Sequence, residues 1–235
     1  MTKNKSAPEN IVFVSAKRSP IGTLGGELSP LQAHEIGGQL IAAVMEDARL
    51  GPTDICETIM GQVLTAGAGM NPARQAAKIG GIADEAPAMG INQVCGSGMR
   101  ALALAAQQIQ VGAARIVVAG GQESMSNAPH VAPLRKGKKL GDIALVDSAM
   151  HDGLTDAFYG YPMGTTAENI AKLYNITREQ QDAFALASQQ KASAATKANR
   201  LKNEIVPIGV GGRAGDIVVE FDQHIRHDAD AQSLT

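Results

Sequence analysis

The first half of the chain alternates short apolar runs with segments of helical periodicity. The apolar runs are rich in β-branched residues, and the segments between them repeat apolar residues every three or four positions. The predicted order is strand, helix, strand, helix, strand, helix and strand, at 11–14, 31–47, 58–64, 71–79, 88–94, 100–111 and 115–119. Such alternation is typical of a layered α/β fold in which helices cover a sheet. The nearly continuous apolar run at 116–119 indicates a sheet buried on both faces.

The character of the chain changes near residue 125. Residues 126–164 are rich in glycine, proline, histidine and charge, with weak periodicity. A compact domain rarely carries so long an irregular segment unless that segment is functional or makes contacts between subunits. We therefore divide the chain into an α/β domain, residues 1–125, and a second domain, residues 126–235.

Beyond residue 164 the pattern becomes regular again. Capping boxes, in which an N-cap side chain and a side chain three residues later cap each other's backbone, predict the starts of two helices. Short apolar runs then predict two strands. The capping pairs are Thr165 with Glu168 and Thr177 with Gln180, and the runs are 205–208 and 217–221.

Composition argues against several classes of protein. The net charge of −2 gives no nucleic-acid signature, and the polar first ten residues lack the apolar core of a signal peptide. No run approaches the roughly 20 apolar residues of a membrane helix. The two cysteines, Cys56 and Cys95, provide neither a disulfide framework nor a zinc site, which suits a reducing compartment. We expect a cytoplasmic protein that holds no metal ion and binds neither membrane nor nucleic acid.

Cys95 lies where an apolar run gives way to small residues, in Ile-Asn-Gln-Val-Cys-Gly-Ser-Gly-Met at 91–99. The predicted elements place its thiol on a strand-to-helix turn at the start of a helix. The partial positive charge and unpaired N–H groups found there favour the thiolate, which is the nucleophilic form. A buried structural cysteine remains an equal interpretation from these residues alone. Cys56, which has no glycine-rich turn, is interpreted as structural.

Several linked motifs of the chain resemble those of the thiolases. They are the run around Cys95, Gly-Gly-Gln-Glu-Ser-Met-Ser at 120–126, Met-Gly-Thr-Thr-Ala-Glu-Asn at 163–169 and Ile-Arg-His at 225–227. The similarity extends from Ile11 to the end of the chain. Within that family, Gly-Leu-Thr-Asp-Ala-Phe at 153–158 is most similar to the acetyl-CoA acetyltransferase, or acetoacetyl-CoA thiolase, branch.

The resemblance implies a mechanism for Cys95. In thiolases the cysteine accepts an acetyl group from acetyl-CoA as a thioester. The enolate of a second acetyl-CoA then attacks that thioester, which gives acetoacetyl-CoA and coenzyme A. The backbone N–H of Cys95 is implied as a donor to the developing oxyanion. Coenzyme A is the only carrier implied, with no other cofactor, and the family further implies a homodimer or homotetramer in fatty acid metabolism.

The resemblance also implies contacts with coenzyme A. Leu154 and Met163 match positions around the pantetheine and acyl groups, and Arg226 and Ser233 match positions around the adenine nucleotide. Pro162 departs from the histidine usual in acetoacetyl-CoA thiolases, which leaves the acyl specificity open. A 3-ketoacyl-CoA thiolase of broader chain length therefore remains an alternative.

Motifs that the resemblance assigns to a second half are not found in this sequence. They are Gly-His-Pro, Asn-Glu-Ala and a second-cysteine Cys-Gly-Gly motif, and the five histidines lie in other contexts. The resemblance implies that residues 126–235 are a loop domain for coenzyme A binding and tetramerisation. We therefore expect an N-terminal half in which this loop domain is incomplete at its C-terminal end and part of the catalytic machinery is missing. A catalytically silent fragment that binds coenzyme A is the alternative from another class.

Overall fold

The computed structural model describes residues 10–211 and 215–234. Its centre is a three-stranded sheet in which the first strand lies between the other two. The strands are β1 (Glu57–Gly61), β2 (Ala88–Ile91) and β3 (Val117–Gly121). Both pairings are parallel, so the carboxyl ends of all three strands lie at the same end of the sheet.

Helices cover both faces of this sheet. Helices α1 (Ala33–Asp47) and α2 (Pro72–Ile79) pack on one face, and α3 (Ser97–Gln110) packs on the other. Met60 belongs to the core under α1 and α2, whereas the neighbouring Ile59 belongs to the core under α3. This is the expected alternation of side chains along a strand. The layers confirm the α/β architecture predicted for this part of the chain.

The predicted first strand is wrong. Residues 11–14 form no strand, and Val12, Phe13 and Val14 are 70%, 78% and 66% exposed. Their β-branched and aromatic character suits a strand, but this preference depends on packing against neighbours. No described strand pairs with this run, so its propensity alone does not produce a strand.

Two helices in the second half of the chain test the predicted capping boxes. Helix α5 (Arg178–Lys197) begins at the predicted N-cap Thr177, whose side chain forms the capping box. Helix α4 (Met163–Tyr174) begins before Thr165 instead, with Pro162 as its N-cap. Thr165 therefore lies inside the helix. Pro162 forms an antiparallel bridge with Thr155, and the helix begins at the next residue, Met163.

The rest of the second half contains only short elements among the described residues. Two antiparallel pairs occur, β4 (His130–Val131) with β5 (Val146–Asp147) and β6 (Ile208–Val210) with β7 (Ile217–Val219). The 3-10 turns are Met125–Asn127, Leu134–Lys136 and Gln232–Leu234, and Ala149–Gly153 forms a π-helical turn. The strand predicted at 205–208 is displaced toward residue 210, because Ile205 forms a bridge with Arg18 instead. No helix in the described part of the chain is long and apolar enough to cross a membrane.

The β6–β7 hairpin packs back onto the first half of the chain. Buried side chains from both halves form one cluster, to which α1 adds partly buried residues. The buried members are Leu28, Ile208, Val210 and Val219. Contacts therefore cross the predicted domain boundary near residue 125, and the division into two domains remains a prediction.

Arg18 fastens the start of the chain to the segment around this hairpin. Its guanidinium donates to both carboxylate oxygens of Asp222, at 2.7 and 2.9 Å, and to Glu204 at 2.8 Å. Asp222 also accepts the N–H of Ile21 at 2.8 Å. Hydrogen bonding to Arg18 lowers the pKa of Asp222. A nearly buried carboxylate thus holds two distant segments together.

Candidate active site

Cys95 lies on the turn between β2 and α3, where the sequence predicts it. Its thiol is exposed and forms no disulfide. Helix α3 begins at Ser97 with Gly96 as its N-cap. Gly96 donates its N–H to the carbonyl of Gln93, and Ser97 donates to that of Val94, both at 3.1 Å. The N–H of Cys95 takes no part in these hydrogen bonds. The location is confirmed, whereas the catalytic role of Cys95 remains a prediction.

Val94 holds the strained backbone of this turn. Its φ of +49° lies in the left-handed region, which β-branched residues rarely adopt. Its N–H donates to Oδ1 of Asn92 at 2.9 Å, and its carbonyl accepts from Oγ of Ser97 at 2.6 Å. Such a conformation costs about 1–3 kcal/mol and persists only where its surroundings hold it. The adjacent hydrogen bonds therefore maintain the bend that precedes Cys95.

Replacing Val94 with glycine is expected to raise the free energy of unfolding by up to about 1 kcal/mol. The left-handed conformation costs an L residue about 1–2 kcal/mol, and glycine avoids that cost at an entropic penalty of about 0.5–1 kcal/mol. Urea denaturation of the full chain measures the change. The matched control is Val111→Gly, because Val111 is exposed and has an ordinary φ of −80°, and this control should lose stability. If Val94→Gly lowered the free energy of unfolding as much as Val111→Gly or more, the backbone of Val94 would not be strained.

Glu123 and Gln122 tie the ends of β1 and β3 together. The carboxylate of Glu123 accepts the N–H groups of Val63 at 2.8 Å and Leu64 at 3.2 Å. Desolvation raises the pKa of Glu123, and these two hydrogen bonds partly oppose the shift. Gln122 donates to Oε1 of Gln62 at 2.9 Å in a buried contact. The sequence identified this region only through a family motif, and its structural role depends on strand pairing.

The raised pKa of Glu123 predicts a specific pH dependence. A carboxyl group whose pKa is higher in the folded state stabilises the fold most below its unfolded pKa, and this contribution is lost as the pH rises through the folded pKa. The Glu123→Gln variant has no titrating group at this position. Its free energy of unfolding, relative to the unmodified chain, should therefore increase as the pH rises from about 4 toward neutrality. Urea denaturation at several pH values measures the difference, and a difference that decreases with pH would contradict the shift.

Cys56 lies in a different environment from Cys95. It is half-buried at the amino end of β1, and its Sγ accepts the N–H of Arg115 at 3.4 Å. Backbone hydrogen bonds from Ile116 and Arg115 lower the pKa of the Cys56 thiol. Cys56 and Gly61 lie at the two ends of β1. The reactivity of the Cys56 thiol can therefore be measured in the same molecule as a reference for that of Cys95. Its interpretation as a structural residue remains a prediction.

The first pair of predicted coenzyme A contacts lies together. Leu154 follows the π-helical turn, and its carbonyl accepts the N–H of Met163, the first residue of α4, at 2.9 Å. The bridge between Thr155 and Pro162 closes the intervening loop. Pro162, which stands where the family usually has histidine, therefore shapes the loop that places Leu154 and Met163 side by side.

The second pair lies near α5 and the last described residues. The N–H of Arg226 donates to Oε1 of Gln189 at 2.8 Å. Ser233 exchanges hydrogen bonds with Asp230, at 2.8 and 3.1 Å. Within the described residues, 10–211 and 215–234, no hydrogen bond or ion pair joins either pair of predicted contacts to Cys95.

A shallow groove of about 340 Å³ separates α5 from the segment that contains Arg226. Oγ of Ser193 and Nδ1 of His227 lie 2.8 Å apart at this groove. The lining residues are Gln190, Ser193, Ala194, Lys197, Arg226, His227 and Ala229. Two cationic side chains, Lys197 and Arg226, and no carboxylate line the groove, which gives it a charge that suits a phosphate group.

The described residues offer no cluster of three or more histidine, cysteine, aspartate or glutamate side chains that could hold a metal ion. The reactive feature is instead the exposed thiol at the carboxyl end of a parallel sheet. These features define an α/β protein with a candidate cysteine nucleophile. The chain belongs to the thiolase family, since residues 11–235 match the family described as "Thiolase, N-terminal domain".

Curated relatives agree with this assignment. An acetyl-CoA acetyltransferase of Shinella zoogloeoides is 53% identical over 223 residues, which cover 95% of this chain and 57% of the relative. That of Rhizobium meliloti (strain 1021) is 53% identical over 225 residues, covering 96% and 57%. A probable acetyl-CoA acetyltransferase of Escherichia coli (strain K12) is 51% identical over 227 residues, covering 96% and 58%. The family resemblance of the motifs is thus confirmed, and the chain spans somewhat more than half the length of these relatives.

Proposed function

We propose that this chain serves an acetyl-CoA C-acetyltransferase reaction, in which two acetyl-CoA molecules condense reversibly to acetoacetyl-CoA and coenzyme A. Cys95 is the acyl acceptor. The observation that carries this proposal is the exposed Cys95 thiol on the β2–α3 turn. It occurs in a chain that is 53% identical to acetyl-CoA acetyltransferases.

The step assigned to this chain is transfer of an acetyl group to Cys95. The thiolate Sγ attacks the carbonyl carbon of acetyl-CoA, and a carbon–sulfur bond to Cys95 forms. The carbon–sulfur bond to coenzyme A breaks, and coenzyme A leaves as a thiolate that takes up a proton. The backbone N–H of Cys95 is proposed to donate to the oxyanion that develops during attack.

The condensation step needs further acid and base groups. The enolate of a second acetyl-CoA forms by loss of a proton from its methyl group, which requires a positioned base. The family resemblance assigns these groups to Gly-His-Pro and second-cysteine motifs. We assign Cys95, with its exposed thiol, to the acyl-accepting step of the reaction.

Coenzyme A is proposed to bind along the second half of the chain. Leu154 and Met163 would contact the pantetheine and acyl groups, and their adjacency supports a shared role. Arg226 and Ser233 would contact the adenine nucleotide, and the basic groove around Arg226 supports a phosphate there. Assembly as a dimer or tetramer, a cytoplasmic location and a role in fatty acid metabolism remain predictions.

A 3-ketoacyl-CoA thiolase of broader chain length is the second candidate. Pro162 favours it, since proline removes the polar side chain that acetoacetyl-CoA thiolases usually place there. Rates of acyl transfer from acetyl-CoA and from hexanoyl-CoA to the full chain would separate the two candidates. Faster transfer from acetyl-CoA supports the first candidate, and faster transfer from hexanoyl-CoA supports the second.

Isotope exchange tests the proposed half-reaction. The full chain is incubated with acetyl-CoA and labelled coenzyme A, and the appearance of labelled acetyl-CoA is measured. Reversible acetylation of Cys95 predicts exchange, which Cys95→Ala should abolish and the matched control Cys56→Ala should retain. Exchange that persists in Cys95→Ala, or no exchange by the unmodified chain, would contradict the proposal.

A further inference from the structure

We propose that Gly61 and Gly121 are positioning residues for Cys95. They lie at the carboxyl ends of β1 and β3, and the first turn of α3 rests directly on them. The absence of a side chain at these two positions sets how closely the helix approaches the sheet. This inference rests on the proposed function, in which Cys95 accepts the acyl group.

Gly61 makes the closest approach to the helix. A Cβ atom at this position would lie 2.5 Å from the carbonyl carbon of Ser97, 2.6 Å from its Cβ and 2.7 Å from the amide nitrogen of Gly98. Cβ atoms in proteins essentially never come within 3.0 Å of such neighbours, so either β1 or the start of α3 would have to move. Gly61 is buried in the central strand and pairs with Ile91 on one side and Gly121 on the other. The start of α3 is therefore the part that would move.

Gly121 makes a milder contact with the same turn of the helix. A Cβ atom there would lie 3.3 Å from Cα of Gly98 and 3.6 Å from the carbonyl oxygen of Gly61. A displacement of a few tenths of an ångström would relieve this contact. Gly61→Ala should therefore move the start of α3 further than Gly121→Ala does.

Ser97 transmits this contact to the reactive turn. Its side chain is buried, and its Oγ accepts the N–H of Gln93 at 2.8 Å and donates to the carbonyl of Val94 at 2.6 Å. Gln93 and Val94 are the two residues before Cys95, and Ser97 lies two residues after it, so a shift of Ser97 moves the backbone on both sides of the thiol. Gly61 and Gly121 thus act on Cys95 through Ser97.

Two other glycines in the same sheet are matched controls. Gly90 lies in β2 and Gly120 lies in β3, next to Gly121. A Cβ atom at either position would meet nothing within 4 Å, and neither residue has a positive φ. Alanine at Gly90 or Gly120 therefore adds the same methyl group without pressing on α3.

The test compares the four alanine variants in the full chain. Iodoacetamide alkylates Cys95 with loss of iodide, and peptide masses report the rate at each pH. Gly61→Ala should slow alkylation of Cys95 by about tenfold or more and alter its pH profile, with a smaller effect in Gly121→Ala. Gly90→Ala, Gly120→Ala and the alkylation of Cys56 should be unaffected.

Additional variants keep the inference falsifiable if Gly61→Ala does not fold. Gly121→Ala then provides the milder test. Ser97→Ala, which adds no atom but removes both Oγ hydrogen bonds, should also slow alkylation of Cys95. Unchanged alkylation in these folded variants, or equal slowing at Gly90 or Gly120, would overturn the inference.

The same variants separate this inference from the proposed function. If the unmodified chain shows no isotope exchange but its alkylation depends on Gly61, the positioning stands and the proposed function fails. If the unmodified chain exchanges label and Gly61→Ala exchanges it equally fast, the positioning fails and the proposed function stands. Loss of exchange in Gly61→Ala but not in Gly120→Ala supports both.

Discussion

Arg18→Ala is expected to lower the free energy of unfolding by about 2 kcal/mol, between the cost of breaking an exposed ion pair and that of breaking a buried one. The side chain of Asp222 is 10% exposed and receives two hydrogen bonds from Arg18, at 2.7 and 2.9 Å. Removing the guanidinium leaves this carboxylate nearly buried without its principal partner. Urea denaturation of the full chain measures the loss.

The matched control for this prediction is Arg178→Ala. Arg178 pairs with Asp182 one helical turn away, and its side chain is 67% exposed, so its replacement should lower the free energy of unfolding far less than Arg18→Ala does. Because Arg18 lowers the pKa of Asp222, the stabilisation is present above the unfolded pKa and is lost as the pH falls through the folded pKa. The cost of Arg18→Ala should therefore shrink below about pH 4. A cost no larger than that of Arg178→Ala would contradict this role.

Ile59→Ala is expected to lower the free energy of unfolding by about 3–4 kcal/mol, as large-to-small changes in a packed core do. Ile59 is fully buried in the central strand and packs against Ala101 and Ala105 of α3. These small side chains cannot extend into the space that the missing atoms leave. The loss would weaken the layer that supports the Cys95 turn.

Ile143→Ala is the matched control for Ile59, because Ile143 is 51% exposed. Surface substitutions of this kind usually change stability by less than about 0.5 kcal/mol. Urea denaturation of both variants measures the difference. Similar losses at the two positions would show that the contact between β1 and α3 contributes little to the fold.

Helices with strong local signals could be predicted from the sequence. Asn71 accepts the N–H of Arg74 and Pro72 follows it, so α2 begins where the pattern indicates. Thr177 does the same for α5. The start of α4 was missed because Pro162 acts through a bridge to Thr155, which is a contact made across a loop. The strand at 11–14 failed for a similar reason, since a strand depends on a partner that the local pattern does not identify.

The site shows the same division between local and distant information. The turn at Cys95 follows from an apolar run, small residues and a helical segment that adjoin one another in sequence. The left-handed φ of Val94 does not follow, because nothing in a valine residue favours it. The contact between Gly61 and Ser97 also escapes sequence reasoning, since it depends on how α3 lies across β1. Residue type indicated the nucleophile, but only the packed structure indicates what positions it.

Location of the transferred acetyl group tests the role of Cys95 most directly. The full chain is incubated with acetyl-CoA and digested at acidic pH, where a thioester survives, and the peptides are identified by mass. We expect one acetyl group on the peptide that contains Cys95 and none on the peptide that contains Cys56. An acetyl group on Cys56, or a Cys95 peptide that remains unmodified, would contradict the assignment of Cys95 as the acyl acceptor.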